Sequence, residues 1–215
     1  ILVINNPHNI NSIQEKINEP IIDFKFHDDT IYLISVGRLI PLKRTQDIIN
    51  VLALIKENVE LVLLGDGTEK ENLINLSRTL NIEKRVHFLG NVSNPFKFIN
   101  KANIFISCSE TEGFPNVLIE ALACKTFIIS SDCVSGPREI LAPNTNYLET
   151  LKEKSVYSKE KYGILYPVGN TDELRKAIVE VVKNKQYQSK VELEAFGSVN
   201  QYDISNIFSF YKAIF

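Results

Sequence analysis

The sequence predicts an α/β protein in which helices cover both faces of a doubly wound, Rossmann-like parallel sheet. Short, continuous apolar runs such as 31–36, 61–64 and 126–130 have the length and composition of buried strands. Most are followed by a polar or glycine-containing turn and then by an amphipathic stretch typical of a helix. Strands and helices that alternate in this way form parallel sheets, which bind ligands at the carboxyl ends of their strands.

The first half of the chain contains three strand–helix units. Apolar or β-branched runs predict strands at 31–36, 61–64 and 85–89. The stretches after them carry apolar residues at helical spacing and predict helices at about 44–56, 69–80 and 95–100. His87 falls within the third strand and is expected to be a core or edge histidine.

The second half continues the alternation and is interrupted once. Apolar runs predict strands at 103–107, 126–130 and 163–166. Helices are expected at about 116–124, 136–141, 171–183, 191–196 and 203–215. The stretch 143–162 carries lysine and glutamate side chains of mixed sign, so we expect a solvated surface loop or helix there.

The composition excludes several classes of protein. The 215 residues are 44% hydrophobic and 23% charged, as in ordinary globular proteins, and the net charge of −2 gives no case for nucleic-acid binding. No apolar run approaches the ~20 residues that span a bilayer. Cys108, Cys124 and Cys133 have no C-x-x-C spacing, which favours a reduced, cytosolic protein and argues against a zinc site.

The N-terminal segment predicts a boundary between domains. Residues 1–4 have the pattern of a strand end, and the polar stretch 5–26, with Pro7 and Pro20, is expected to be a linker. Because the sequence contains no Met, we expect it to be part of a longer chain whose N-terminal domain is missing. The predicted organisation is a domain end and linker at 1–26, a ligand-binding domain at 27–200 and a final helix at 201–215.

The most specific motif runs from Glu112 to Glu120, between the strand 103–107 and the helix 116–124. One carboxylate therefore lies in a turn and the other on a helix. Asn116 and Glu120 share a helix face, with Glu120 reaching back toward the helix start. Free N–H groups and the helix dipole favour an anion such as phosphate there. The motif predicts a site for a ligand that carries both a phosphate and hydroxyl groups.

A basic loop follows the strand 31–36. Gly37 allows a sharp turn, and Arg38 and Lys43 place two cations before the next helix. A guanidinium fork and a lysine point charge suit a diphosphate. A pair of solvent-exposed surface cations is the alternative interpretation.

Three further turns have both a structural and a ligand-binding interpretation. The Gly65–Gly67 turn lets backbone approach a ligand or caps a helix, and it lacks the third glycine of a dinucleotide motif. Asn91 and Val92 offer backbone amides to a planar base or form an ordinary loop. The stretch Ser135–Glu139 faces a ligand or caps a short helix.

The histidines do not suggest a catalytic or metal site. His8, His27 and His87 lie in different predicted elements, and no pair has metal-ligand spacing. No Ser-His-Asp arrangement can be assembled from them, and the sequence offers no general base of its own.

Taken together, these motifs resemble those of the retaining glycosyltransferases of the GT-B fold, a family that includes bacterial capsule and lipopolysaccharide transferases. The resemblance extends over about residues 31–183. Its most specific part is the Glu-x7-Glu pattern with an internal Gly-Phe-Pro-Asn, and it rests also on the Gly37–Lys43 loop, the Gly65–Gly67 turn and the Gly136–Ile140 stretch. It implies one half of a two-domain fold, in which the C-terminal domain binds a nucleotide-sugar donor.

The resemblance also implies roles for single residues. Arg38 and Lys43 would hold the donor diphosphate. Glu120 would bind the ribose hydroxyls, Glu112 would lie near the transferred sugar, and backbone amides within 113–117 would meet sugar and phosphate. The implied catalytic residues are Arg38, Lys43 and Glu112. The implied donor-binding set, in which Asn91 and Val92 lie by the base, is Gly37, Arg38, Lys43, Gly65, Asn91, Val92, Glu112, Gly113, Phe114, Pro115, Asn116, Val117 and Glu120.

Reaction partners follow from the same resemblance. A UDP-sugar is the first expectation for the donor and GDP the second, and no metal or cofactor is expected, because fixed cations and helix-terminus amides stabilise a departing nucleoside diphosphate. The missing N-terminal domain would bind a glycan or polyprenyl-linked acceptor in the cytoplasm, with peripheral association at the inner face of the membrane. The final helix at 201–215 would cross back to that domain. This chain alone would then bind donor without transferring the sugar.

Two other classes of protein remain open from the sequence. A nucleotide-sugar epimerase of the same fold would share the ribose-binding carboxylate but needs further acid and base groups near the sugar, which the sequence does not reveal. A non-catalytic binding module would have no need for a complete site. The presence together of Arg38, Lys43, Glu112 and Glu120 favours a working donor site.

Overall fold

The computed structural model describes residues 5–214, which form a seven-stranded sheet with helices on both faces. The strand order is β3-β2-β1-β4-β5-β7-β6, and neighbouring strands are parallel except for the edge pair β6 and β7. The strands are β1 (Ile31–Val36), β2 (Val59–Leu64), β3 (Val86–Gly90), β4 (Ile104–Ser107), β5 (Phe127–Ser131), β6 (Ser158–Glu160) and β7 (Gly163–Tyr166). The predicted doubly wound α/β fold is confirmed. The strand end predicted at 1–4 lies outside the described residues.

The helices alternate with the strands. They are α1 (Ile10–Lys16), α2 (Thr45–Leu54), α3 (Lys70–Thr79), α4 (Phe96–Lys101), α5 (Asn116–Ala123), α6 (Pro137–Leu141), α7 (Thr171–Lys183), α8 (Lys185–Ser198) and α9 (Ile204–Ile214), with 3₁₀ helices at Pro41–Lys43, Glu83–Arg85 and Val199–Tyr202. Helices α2, α3 and α7 pack on one face of the sheet, and α1, α4, α5 and α6 pack on the other. The connections after β1 and β4 therefore leave on opposite faces.

The core lies on both faces of the sheet, which is why the strands are continuously apolar. In β1, Tyr32 and Ile34 belong to one hydrophobic cluster, and Leu33 between them belongs to the other. Every residue of β4 and β5 is buried. Because each fully buried large aliphatic side chain contributes ~1.5–3 kcal/mol, the two clusters together fix the register of the central strands.

The linker predicted at 5–26 contains a helix, α1, which the sequence analysis missed. Asn9 caps this helix, its side-chain oxygen accepting a hydrogen bond from the Ser12 N–H at 2.9 Å. Ile10 and Ile13 are buried in the core cluster that contains α5. The helix therefore packs on the core of the sheet, and only two apolar residues at helical spacing indicate it in the sequence.

The stretch 143–162 is a loop that ends in a strand not predicted from the sequence. β6 pairs antiparallel with β7 at the edge of the sheet, Lys159 opposite Ile164. Its sequence, Ser-Lys-Glu, gives no apolar signal because the strand is short and lies on the edge.

The C-terminal helices differ from the prediction in extent. Helix α8 begins at Lys185 rather than 191, since Asn184 caps it by accepting a hydrogen bond from the Tyr187 N–H at 3.0 Å. The segment before α9 lies beside the segment before α1. The His8 N–H donates to the Tyr202 carbonyl at 2.9 Å, and the Ile204 N–H donates to the His8 carbonyl at 2.8 Å.

Candidate donor-binding site

The carboxyl ends of β1 and β4 form the point where the winding of the sheet reverses. The two strands pair side by side, with Leu33 opposite Ile104, yet their following loops lead to helices on opposite faces. A crevice opens between such loops, and it is the usual ligand site of doubly wound sheets. The residues around it include Gly37, Arg38, Lys43, Ser107, Glu112 and Val117.

Backbone contacts beneath the loop after β1 explain one of the predicted glycines, Gly65. The Gly37 N–H donates to the Leu64 carbonyl at 2.9 Å, and the Gly65 N–H donates to the Gly90 carbonyl at 2.8 Å. A Cβ atom on Gly65 would lie 1.9 Å from the Gly37 carbonyl oxygen, which no side chain can tolerate. Gly65 therefore lets the ends of β1 and β2 approach each other closely.

The loop after β3 lies beside the basic loop after β1. A shallow pocket is formed jointly by Val36, Gly37, Arg38, Leu64, Gly65, Asn91, Val92 and Pro95. The structure thus brings the residues predicted for the base next to one of those predicted for the diphosphate.

Lys43 and Glu112 meet across the crevice. The loop after β1 continues into the 3₁₀ helix Pro41–Lys43, and the Lys43 Nζ atom lies 2.5 Å from the Glu112 Oε1 atom. The Glu110 N–H also donates to the Leu42 carbonyl at 2.9 Å, which ties the two loops together. Both charged side chains keep some exposure, 29% for Lys43 and 14% for Glu112, so a ligand can reach them.

Arg38 differs from Lys43 in having no partner for its charged group among the described residues. It is exposed, and the hydrogen bonds and ion pairs of residues 5–214 include none to its guanidinium group. It lines both the crevice and the pocket at Asn91 and Val92. A free guanidinium group between the crevice and this pocket is suited to a diphosphate that extends from one to the other.

Helix α5 starts at the crevice and carries Glu120. Pro115 precedes the helix and Asn116 is its first residue, so the free N–H groups of the first turn lie at the end of the Glu112–Pro115 loop. Glu120 lies one turn further on and is half-buried, and burial raises its pKa above the ordinary value. It is not among the residues that line this crevice.

The N-terminal segment touches this site, which the sequence analysis missed. The Asn6 Nδ2 atom donates to the Asn116 Oδ1 atom at 3.0 Å. His8 is buried, and burial lowers its pKa, an effect that the nearby Asn116 side chain opposes. Nothing in the spacing of these residues, more than a hundred positions apart, could have indicated the contact.

The stretch Ser135–Glu139 caps a short helix, which is one of the two interpretations that the sequence allows. The Gly136 N–H donates to the Glu139 Oε1 atom at 3.0 Å, so the Glu139 side chain satisfies a free backbone N–H at the start of α6. Arg138 forms a buried ion pair with Asp132, a residue to which the sequence gave no role. The turn also contacts the loop before α5, since the Ser135 Oγ atom donates to the Gly113 carbonyl at 2.6 Å.

The electrostatics of the crevice suit a ligand with a diphosphate. Two cations and the start of a helix face one space, where they can stabilise negative charge that builds on a departing phosphate. Among residues 5–214, no group of three or more His, Cys, Asp or Glu side chains is placed to hold a metal ion. None of the described helices combines the length and the apolarity that a membrane span requires.

A doubly wound α/β domain with a crevice at its switch point is an architecture that binds nucleotides in many proteins. The profile of the family described as "Glycosyl transferases group 1" matches residues 15–196. The chain belongs to this family of glycosyltransferases. The predicted resemblance to GT-B glycosyltransferases is confirmed.

Curated relatives extend well beyond this chain. It is 37% identical to an uncharacterised glycosyltransferase of Methanocaldococcus jannaschii over 169 residues, which are 76% of this chain and 41% of that protein. It is 32% identical over 168 residues to the N-acetylgalactosamine-N,N'-diacetylbacillosaminyl-diphospho-undecaprenol 4-alpha-N-acetylgalactosaminyltransferase of Campylobacter jejuni, 76% of this chain and 42% of that protein. The chain thus matches about two fifths of the length of each.

Solved structures show the same fold. HepE of Anabaena, solved in complex with UDP, superposes with a TM-score of 0.80 at 20% identity, over 99% of this chain and 56% of that protein. The lipopolysaccharide outer core galactosyltransferase WaaB, in its apo form, superposes with a TM-score of 0.74 at 28% identity, over all of this chain and 55% of that protein. The chain therefore corresponds to about half of each structure.

Proposed function

We propose that this chain is the donor-binding domain of a retaining glycosyltransferase that uses a UDP-sugar without a metal ion. The crevice between Arg38, Lys43 and Glu112, at the switch point of the sheet, carries the proposal. Arg38 and Lys43 hold the diphosphate, and backbone N–H groups within 113–117 meet the phosphate and the sugar. A UDP-sugar is favoured because HepE, which shares the fold, was solved with UDP and also with UDP-glucose.

The two glutamates have separate roles in this proposal. Glu120 accepts hydrogen bonds from two ribose hydroxyls, for which an ionised carboxylate on the helix is well suited. Glu112 lies with Lys43 at the crevice and faces the transferred sugar. Asn91 and Val92 contact the base, because their loop borders the pocket next to Arg38.

The acceptor half of the reaction belongs to a further domain in this proposal. Residues 27–200 bind the donor, residues 5–26 connect to the acceptor domain, and α9 packs against it. The names of two relatives support a glycan or polyprenyl-linked acceptor in surface polysaccharide synthesis, and the proposal places that synthesis at the inner face of the cytoplasmic membrane. One acts on a diphospho-undecaprenol substrate, and one is the lipopolysaccharide 1,6-galactosyltransferase of Escherichia coli. This chain by itself binds donor without transferring sugar.

Titration calorimetry with UDP tests the proposal. We expect the chain to bind UDP, and Glu120→Ala to bind it about 10- to 150-fold more weakly, since losing a hydrogen bond to a charged group costs ~1.5–3 kcal/mol. Glu71→Ala, which removes an exposed carboxylate on α3, is the control and should leave the affinity unchanged. No binding of UDP, UDP-glucose or GDP at millimolar concentration would refute donor binding, and equal affinity for the Glu120 variant would refute its ribose role.

A further inference from the structure

The turn between β5 and α6 touches the loop that precedes α5. Two adjacent residues make the contact. The Ser135 Oγ atom donates a hydrogen bond to the Gly113 carbonyl at 2.6 Å. Gly136 packs against the next residues of the loop, where a Cβ atom would lie 2.2 Å from the Pro115 Cδ atom and 3.3 Å from the Phe114 Cα atom. The loop is thus supported along three consecutive residues by one turn.

The turn has an unusual backbone at both contact residues. Ser135 has φ of 68° and Gly136 has φ of 92°, both in the left-handed region. Glycine accepts this conformation, whereas a residue with a Cβ atom in it costs ~1–2 kcal/mol. A serine held there means that the surrounding structure imposes the conformation, and such sites cluster where function requires them.

Hydrogen bonds at both ends hold the turn in place. Asp132, at its start, is buried and accepts hydrogen bonds from the Arg138 guanidinium and, at 2.6 Å, from the Leu151 N–H. Glu139, in the first turn of α6, accepts a hydrogen bond from the Gly136 N–H at 3.0 Å. Because both ends are fixed, the Ser135 hydroxyl is presented to the loop at a defined position.

The hydrogen bond from Ser135 orients one peptide unit of the loop. The Gly113 C=O and the Phe114 N–H belong to the same planar trans peptide, so they point in opposite directions. With the carbonyl held by Ser135, the Phe114 N–H is directed away from the β5–α6 turn. No hydrogen bond among residues 5–214 uses that N–H as donor, so it is free for a ligand.

We infer that Ser135 is a positioning residue, which fixes the Gly113–Phe114 peptide so that its N–H donates to the phosphate or sugar part of the donor. Ser135 itself does not touch the ligand. The inference rests on the proposed donor binding and extends it, because it assigns a part of the site's geometry to a residue outside the crevice.

The test compares UDP with uridine, which lacks the phosphates, in titrations of the parent chain and of two variants. Ser135→Ala removes the hydroxyl, and Ser135→Gly removes it while relieving the positive φ. A net hydrogen bond contributes ~0.5–1.5 kcal/mol, so both variants should bind UDP about three- to tenfold more weakly and uridine as tightly as the parent does. The matched control is Ser209→Ala on α9, which also loses a hydroxyl bonded to a backbone carbonyl at 2.9 Å and should change neither affinity.

A spectroscopic measurement reports on the same peptide. In ¹H–¹⁵N correlation spectra of the parent chain, the Phe114 amide signal should move on addition of UDP, and this movement should be reduced in both Ser135 variants. Parent-like UDP affinity in the variants, or equal losses for UDP and uridine, would overturn the positioning role and leave donor binding intact. Absence of UDP binding by the parent chain would instead overturn the proposed function, and the inference with it.

Discussion

Two pairs of opposite charges follow strands at the same edge of the sheet, and they differ in how completely they are held. Asp132 and Arg138 flank the turn after β5, with side-chain exposures of 0% and 9%. Asp132 also accepts a hydrogen bond from the Leu151 N–H, so this pair joins three segments of chain. Lys43 and Glu112 keep exposures of 29% and 14% and share a single contact.

The difference separates a scaffold from a site. A buried pair whose hydrogen bonds are all satisfied cannot exchange partners without leaving a charge unpaired in the interior. A partly exposed pair with one contact is worth little to stability and can exchange its partner for a ligand. The turn after β5 therefore serves as a fixed support, whereas the loops after β1 and β4 are available for binding.

The largest expected effect is at the buried pair. Asp132→Asn leaves Arg138 without its counter-ion and should lower the free energy of unfolding by ~3–5 kcal/mol. Urea denaturation measures the change, with Asp23→Asn at an exposed position as the control. A loss of less than ~1 kcal/mol, the size typical of surface pairs, would remove the distinction between the two pairs.

The next effect is at Lys43 and should appear in binding rather than in stability. Lys43→Met removes the ammonium group that would contact the diphosphate, so it should weaken UDP binding about 10- to 150-fold. The free energy of unfolding should change by less than ~1 kcal/mol. Lys183→Met is the control, because Lys183 also forms an exposed ion pair, with Glu57 at 3.3 Å. If Lys43→Met mainly destabilised the fold, Lys43 would be part of the scaffold.

Glu120 differs from both pairs, because burial raises its pKa and no cation among the described residues lies beside it to oppose the shift. A raised pKa in the folded chain means that protonated Glu120 favours folding below its ordinary pKa of 4.5, and that this contribution is lost as the pH rises through the folded-state pKa. Glu120→Gln should therefore gain stability relative to the parent as the pH is raised above about 4.5. Urea denaturation of both chains between pH 4 and 8 measures the difference. A difference that does not change with pH would contradict the shift.

The smallest effect is expected at Glu112. Glu112→Gln releases Lys43 from its single contact, and since exposed pairs contribute ~0.2–1 kcal/mol, UDP should bind equally or up to about fivefold more tightly. Glu110→Gln, an exposed neighbour, controls for the loss of one negative charge near the loop. A loss of UDP affinity beyond about tenfold would show that Glu112 contacts the nucleotide itself.

The sequence predicted the features that depend on one segment of chain. The strands of the sheet interior were recognisable because they are buried on both faces, as in β5. The loop at Arg38 and Lys43 and the Glu112–Asn116 loop could be assigned to one edge of the sheet, because each directly follows a parallel strand. Their common crevice follows from the strand order, in which β1 and β4 are neighbours.

Features that depend on contacts between distant segments could not be predicted. Helix α1 has only two buried apolar residues, too few to distinguish it from a linker in the sequence. Asn6 contacts Asn116 across 110 positions. The Ser135 hydroxyl and the Gly113 carbonyl are 22 positions apart and in different loops. Each contact depends on how the loops are packed, which no spacing rule describes.

The backbone approach at Gly65 sets limits for redesign of the proposed donor site. Because the Gly37 carbonyl occupies the space of a Gly65 side chain, any substitution there lifts the loop that carries Arg38. A mutant library that aims to change sugar preference should therefore keep Gly65 fixed. At Gly113, by contrast, the protein's own packing sets no such limit, since a Cβ atom there has no neighbour within 4 Å and the backbone is not in the left-handed region.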